Sequence, residues 1–230
     1  MPAKVSTPAD EYREIDRFDG GIGWIAHPEE ILQRASHALE TDDGVWLIDP
    51  LDAEGIDDRI TELGTVAGVV VLSNHHRRDG AAIANRHDVP VYLPRAMQGV
   101  AETLDAPVEH FEGELAGYEL LTVNFVSGWQ EFALYDGETL IVSESVGTAP
   151  HFLTDSERLG VITLLRPLPP RATLGGLDPE RILLGHGEGV FEDAAAALTD
   201  ALSGSRRRFP RALIENGSDQ FRTLTAVLFT

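Results

Sequence analysis

Apolar and polar positions change over in short blocks along this chain, and turn residues punctuate the blocks, as expected of strands and helices in succession. GGIGWIAHP reads as a strand, and SHALE and VWLID as two more joined by a hairpin turn at TDDG. Residues 56–63, IDDRITEL, have helical spacing. GVVVL is short and wholly apolar, as in a strand buried on both faces. GAAIANRH then predicts a helix and PVYLP a strand. YELLTVNF, QEFALYD and TLIVSE are strand-like, and a turn at Asp136 and Gly137 makes the last two a hairpin. After a Pro-rich connection, RILLGHG reads as strand plus loop and leads into a helix over VFEDAAAALTDALS. Residues 205–230 carry weaker signals, and FRTLTAVLF fits a terminal strand or a helix. Strands dominate the first two thirds, with helices between and after them. That pattern implies an α/β chain of sheet layers covered by helices, in one domain spanning residues 1–230.

Composition narrows the setting. A chain of 230 residues can bury roughly 70–75% of its unfolded surface. No apolar run approaches the ~20 residues of a membrane span, and the N-terminal stretch has no hydrophobic signal region. Cysteine is absent, which excludes disulfides and thiolate ligands. These features predict a cytoplasmic protein with no membrane partner. Charge changes the picture more: 38 acidic residues face 18 basic ones, a formal net charge of −20, and Lys4 is the sole lysine. The acidic residues are dispersed, which argues against a disordered acidic tail. Such a surface repels itself unless salt screens it. The composition resembles that of cytoplasmic proteins from salt-in halophilic archaea. It also argues against a nucleic-acid partner, because no broad phosphate-neutralising surface is available. The one basic cluster, Arg206 to Arg208 with Arg211, is expected to cover a helix end or pair with carboxylates.

Candidate chemistry concentrates in LSNHHRRDG, residues 72–80, where the apolar strand ends in two histidines, two arginines and an aspartate. Five segments in order resemble the metallo-β-lactamase superfamily. VWLIDPL is similar to its early strand ending in an aspartate, here Asp49. VVVLSNHHRRDG is similar to its strand and His-x-His-x-Asp-His loop, and SGWQEFALY to the segment that opens with the third histidine. TLIVSES resembles the strand ending in the bridging aspartate, and RILLGHGEGV the strand and Gly-His-Gly loop with the last histidine. The resemblance implies a four-layer αββα sandwich with a metal site along one edge of its two sheets.

Carried over residue by residue, the resemblance is incomplete. Asn74 stands at the first histidine, His76 at the second, Arg78 at the aspartate and Asp79 at the next histidine. Ser127 falls where another histidine belongs, Glu144 at the bridging aspartate and His186 at the final histidine. An arginine cannot ligate a metal. Held ~4 Å from a dication at an effective dielectric of ~20, it is repelled by about 8 kcal/mol. The usual dinuclear site is therefore not expected. The leading expectation is no cofactor, with Arg78, Asp79 and Glu144 forming an Arg–carboxylate cluster around His76 and His186. The alternative is a single Zn, Mn or Fe ion held by His76, Asp79, Glu144 and His186.

Around these residues, Asp49 is expected to cap backbone amides and orient a loop. Trp129 can line the cleft. His75, adjacent to His76 on an extended segment, points to the other side and is expected outside the ligand set. His27, His37, His87, His110 and His151 are expected to be surface or structural residues. Ser127 and Ser143 lack the GxSxG elbow of a serine hydrolase. Two functions follow from the resemblance. One is a non-catalytic binding or structural protein that keeps the sandwich and its cleft, with an unknown small molecule as its ligand if it has one. The other is a mononuclear-metal hydrolase acting on an ester, thioester or phosphoester. The sequence carries no signal for an oligomeric state.

Overall fold

The computed structural model describes residues 2, 4–5, 9–126, 128–154 and 156–228. Seven strands form one sheet in sequence order: β1 (Arg13–Phe18), β2 (Gly21–Ile25), β3 (Ala35–Thr41), β4 (Gly44–Ile48), β5 (Val66–Val70), β6 (Val91–Pro94) and β7 (Val108–Phe111). The first four pair antiparallel and the last four parallel. The change follows from the connections. TDDG closes a tight hairpin, whereas α1 (Ile56–Thr61) and α2 (Gly80–Arg86) provide the crossovers that parallel strands need. α1 buries Ile56 and Ile60, one turn apart, and carries Asp57 and Asp58 in its first turn, where the helix dipole favours anions.

The second sheet contains β8 (Glu114–Leu115), β9 (Tyr118–Val126), β10 (Trp129–Tyr135), β11 (Thr139–Val142) and, after the small hairpin of β12 (Val146–Gly147) and β13 (Gly160–Val161), β14 (Arg181–Leu184). Its order is β14-β11-β10-β9-β8. α3 (Arg171–Leu174) and α4 (Ala194–Leu228) follow the hairpin in the chain, on either side of β14. Alternation along the strands sorts the core. Phe132, Leu134, Ile141 and Leu183 pack with the first sheet, whereas Ala133, Leu140, Val142, Ile182 and Leu184 pack with Ala194, Ala197, Leu198, Ala201 and Leu202 of α4. Each fully buried leucine there contributes roughly 1.5–3 kcal/mol. Sheets back to back with helices outside make the αββα sandwich.

Parallel pairing decides where loops meet. Ile48 sits beside Val70, and Val142 beside Leu184, so each pair of strands ends together. Asp49, the segment from Leu72 to Asp79, Ser143 to Glu144 and Gly185 to His186 thus emerge along one edge. The continuation of β5 also crosses to the second sheet: Phe132 N–H donates to Leu72 O at 2.8 Å and Asn74 N–H to Gln130 O at 3.1 Å.

Several elements differ from the sequence reading, which does not contain β1, β7, the short β8, β12 and β13 or the short helix α3 and leaves the C-terminal segment open. β1, REIDRF, is a charged edge strand with an irregular register between Ile15 and Phe18, so its alternation is weak. β7, VEHF, is short and half exposed. α4 runs to Leu228, so the ambiguous C-terminal segment is helical, and it contains Pro210.

Candidate metal centre

Asp49 anchors the edge. Its φ is 46°, a left-handed conformation costly for a residue with a side chain, and its carboxylate explains the retention of that strain. One oxygen accepts from Leu72 N–H at 2.9 Å, and the other accepts from Ser143 Oγ at 2.6 Å and faces His76 Nδ1 at 2.9 Å. Burial pushes the Asp49 pKa up, against the pull of the Arg78 charge and the Ser143 and Leu72 hydrogen bonds. This aspartate accepts from the Leu72 amide and holds the His76 ring.

His186 is set by the Gly-His-Gly loop. A side chain on Gly185 would stand 2.2 Å from Ser143 O and 2.9 Å from His76 Cε1, so only glycine lets the two loops close. Gly187 has φ 87° and an equally tight approach to Thr148 and Ala149. His186 Nδ1 lies 2.8 Å from Leu32 O, a group that only accepts, so Nδ1 carries the proton. The Asp49 carboxylate fixes the same tautomer on His76.

Both Nε2 atoms are therefore bare, and they face each other at 3.2 Å. Two lone pairs this close repel unless a cation lies between them. A tetrahedral metal with nitrogen ligands at about 2.0–2.1 Å holds them roughly 3.3 Å apart. Glu144 Oε1 lies 3.5 Å from His76 Nε2. The donor atoms of His76, Glu144 and His186 all lie within 4.8 Å of one another, and all three residues are buried. Burial first, then the Arg78 charge, holds His76 well below the usual histidine range; burial and His76 do the same for His186. Two neutral imidazoles and a carboxylate fit one divalent ion.

Glu144 is held from behind. Its Oε2 accepts from Ser73 Oγ at 2.7 Å and from His75 Nδ1 at 3.3 Å. His75 Nε2 lies 2.9 Å from Gly128 O, so both ring nitrogens face acceptors, an arrangement that favours the protonated ring. The Glu144 contact, opposed by burial, raises the His75 pKa. Burial works to raise the Glu144 pKa, but His75, His76 and Ser73 together leave it lowered. His75 thus orients Glu144 from outside the donor set, and its ring lies 6.4 Å from that of Trp129.

Arg78 departs from the cluster expected of it. Its φ of 43° turns the side chain inward, where Nη1 donates to Ala35 O and, at 2.8 Å, to Asp49 O, and Nη2 donates to Gly185 O at 2.9 Å. It forms no ion pair with Asp79 or Glu144. Nη2 comes within 3.5 Å of His76 Nε2. Asp79 stands apart from the three donors, just before α2, and accepts from Asp52 N–H at 2.9 Å. Asn74 ties the sheets together by accepting from Gln130 N–H at 2.7 Å and donating to Gly128 O at 3.3 Å. Ser127 lies outside the described residues.

A cavity of about 150 Å³ opens onto the centre. Lys4, Arg34, His75 and Arg78 supply cationic groups, and Leu32, Trp129, Phe152, Ile162 and Leu164 an apolar wall. Two residues here were not assigned to the site from sequence. His151 is buried, donates from Nδ1 to Ile31 O at 3.1 Å and lies 5.9 Å from the His186 ring. Glu131 is fully buried behind Glu144; its Oε1 accepts from the Glu144 and Ser145 amides, both at 2.7 Å, and burial with the Glu144 charge pushes its pKa up to about 8.

No protein-family model matches the sequence, and no curated protein matches it. Solved structures do match. A metallo-β-lactamase from Hirschia baltica superposes with a TM-score of 0.58 at 10% identity, over 86% of this chain and 98% of its own. TMB-1 gives 0.59 at 15% identity, over 90% and 99%. A mutant flavo di-iron protein from Thermotoga maritima gives 0.58 at 15% identity, over 85% of this chain and 63% of its own. At such identities the likeness establishes a fold of the metallo-β-lactamase type, and function has to be argued from the site. No helix among the described residues is long and apolar enough to cross a membrane.

Proposed function

We propose that this chain is a divergent hydrolase of the metallo-β-lactamase superfamily that uses one divalent ion, zinc, manganese or iron. His76, Glu144 and His186 would hold the ion, and the substrate would be an ester, thioester or phosphoester. The observation that carries this reading is the pair of bare Nε2 atoms 3.2 Å apart, each with its tautomer fixed by an acceptor on the far side. A divalent ion there would polarise a carbonyl or phosphoryl oxygen and acidify water. Asp49 orients His76 and raises its basicity, and Leu32 O does the same for His186. His75 and Ser73 keep Glu144 ionised and aimed. Arg78 supplies a fixed positive charge where the resemblance places the second metal's aspartate, and it can stabilise negative charge that develops on a substrate.

The test is hydrolysis of p-nitrophenyl acetate, an acyl thioester and bis-p-nitrophenyl phosphate by chelator-treated protein before and after addition of Zn²⁺, Mn²⁺ or Fe²⁺. Turnover of at least one substrate that depends on metal and disappears in His186→Ala supports the proposal. Metal-loaded protein inactive on all three favours a second reading, a non-catalytic binding protein. That reading draws on Arg78 Nη2, which lies 3.5 Å from His76 Nε2 and offers that lone pair a cation of the protein's own.

The same proposal takes residues 1–230 as one domain with a degenerate form of the dinuclear motif. The excess of 38 acidic over 18 basic residues supports a cytoplasmic setting in a salt-in halophile.

A further inference from the structure

Lys4 is the sole lysine of the chain, and its side chain lines the cavity of the metal centre. It is held there from both sides. Pro2 O accepts from Ile31 N–H at 2.9 Å, Val5 N–H donates to Glu30 Oε2 at 3.0 Å, and Val5 O accepts from Arg34 Nη2 at 2.9 Å. The backbone on each side of Lys4 is thus tied to the buried Glu30–Arg34 pair and its neighbour.

The other cations of the cavity are already engaged. Arg34 makes a two-point contact with Glu30, at 2.7 and 2.9 Å. His75 is paired with Glu144, and the Arg78 hydrogen-bond donors are largely spent on backbone carbonyls. Lys4 has no hydrogen bond or ion pair to a described residue. Burial and then the Arg34 charge lower its pKa, only partly offset by Glu30, whose carboxylate is already bonded to Arg34. A cationic cavity within a chain of net charge −20 concentrates anions against the field of the surrounding surface. Across from these charges, Trp129, Phe152, Ile162 and the exposed Leu164 form an apolar wall that leads to solvent.

We propose that this cavity binds an amphipathic anion, a carboxylate or phosphate on an apolar body, with Lys4 as the head-group residue. The inference rests on the reading of the same cavity as the substrate site, and it assigns substrate specificity to an N-terminal strap. The apolar body lies along Trp129 and Leu164, and the head group lies between Lys4 and Arg78.

Calorimetric titration of the chelator-treated full chain with octanoate, octyl phosphate and octanol tests this directly. At least one of the two anions binds about tenfold or more tightly than octanol, as a charge-assisted contact requires. The tighter of the two identifies the head group as carboxylate or phosphate. Lys4→Met, which keeps the aliphatic stem, removes that preference, and Lys4→Arg restores it. Equal affinity for octanol, no binding of either anion, or an unchanged preference in Lys4→Met overturns the proposal. Because no metal is present in these titrations, their failure leaves the metal site standing. A chain that binds no added Zn²⁺, Mn²⁺ or Fe²⁺ in a separate titration yet still discriminates the anions overturns only the metal site.

Discussion

Two arginines, Arg166 and Arg78, show how the same side chain serves different ends. Arg166 is fully enclosed and makes a two-point ion pair with Glu157, at 3.0 and 2.7 Å, with a further bond to Phe152 O at 2.6 Å. Its charge is cancelled on the spot, so the pair acts as a structural tie between the loop before β13 and the segment leading to α3. Arg78 bonds to three backbone carbonyls and to no carboxylate, and it faces a cavity. Carbonyl dipoles hold a guanidinium in place without neutralising it. The charge left over is available to a ligand, and for this reason Arg78 belongs to the site and Arg166 to the scaffold.

The contrast can be broken by substitution. Arg166→Met leaves Glu157 buried beside only the more distant Arg208, and should cost about 3–5 kcal/mol in a urea-denaturation midpoint with no change in metal affinity. Asp49→Asn removes the anion behind His76 and should weaken metal binding roughly 10–100-fold by calorimetry, with the fold retained. Arg78→Met should cost a smaller ~1–3 kcal/mol for the carbonyls it strands. The same change should tighten metal binding about tenfold or more, since the repelling cation is gone. An Arg78→Met protein with weaker metal affinity would mean that Arg78 supports the ion instead of replacing its partner.

Glu131 offers a milder test through pH. Its folded pKa of about 8 exceeds the usual carboxylate value near 4.5, so between these limits the native state holds a proton that the unfolded chain has lost. Stability from this group is complete below the lower limit and is lost as pH rises toward the upper one. Glu131→Gln keeps an acceptor for the two amides but does not titrate. Its melting temperature relative to the parent should therefore be higher at pH 8 than at pH 5; an equal difference at both would place the proton elsewhere. The smallest perturbation is salt: the melting temperature of the parent should rise with KCl as surface repulsion is screened.

Much of this was legible in the sequence, and what was not has identifiable causes. GVVVL and RILLGHG read correctly because short apolar strands that end in glycine or polar residues are local signals. His76, Glu144 and His186 stand in those same local signals, and the structure groups their donor atoms. The orientations of Arg78 and Asp79 were not legible, because Arg78 takes a left-handed backbone conformation that no local residue pattern announces. Glu131 hid in a strand-like segment whose register shifts between Glu131 and Phe132, so simple alternation could not assign its face. His151 reaches the cavity from an irregular connection, brought near by the amides of Thr148 and Ala149 on His186 O, and no periodicity encodes that contact.

The central claim is one metal and one arginine where the dinuclear arrangement would have two metals. Elemental analysis of protein purified in high salt without chelator tests it most directly. The account predicts close to one equivalent of zinc, manganese or iron per chain, lost in His186→Ala. No bound metal, or two equivalents, would contradict it.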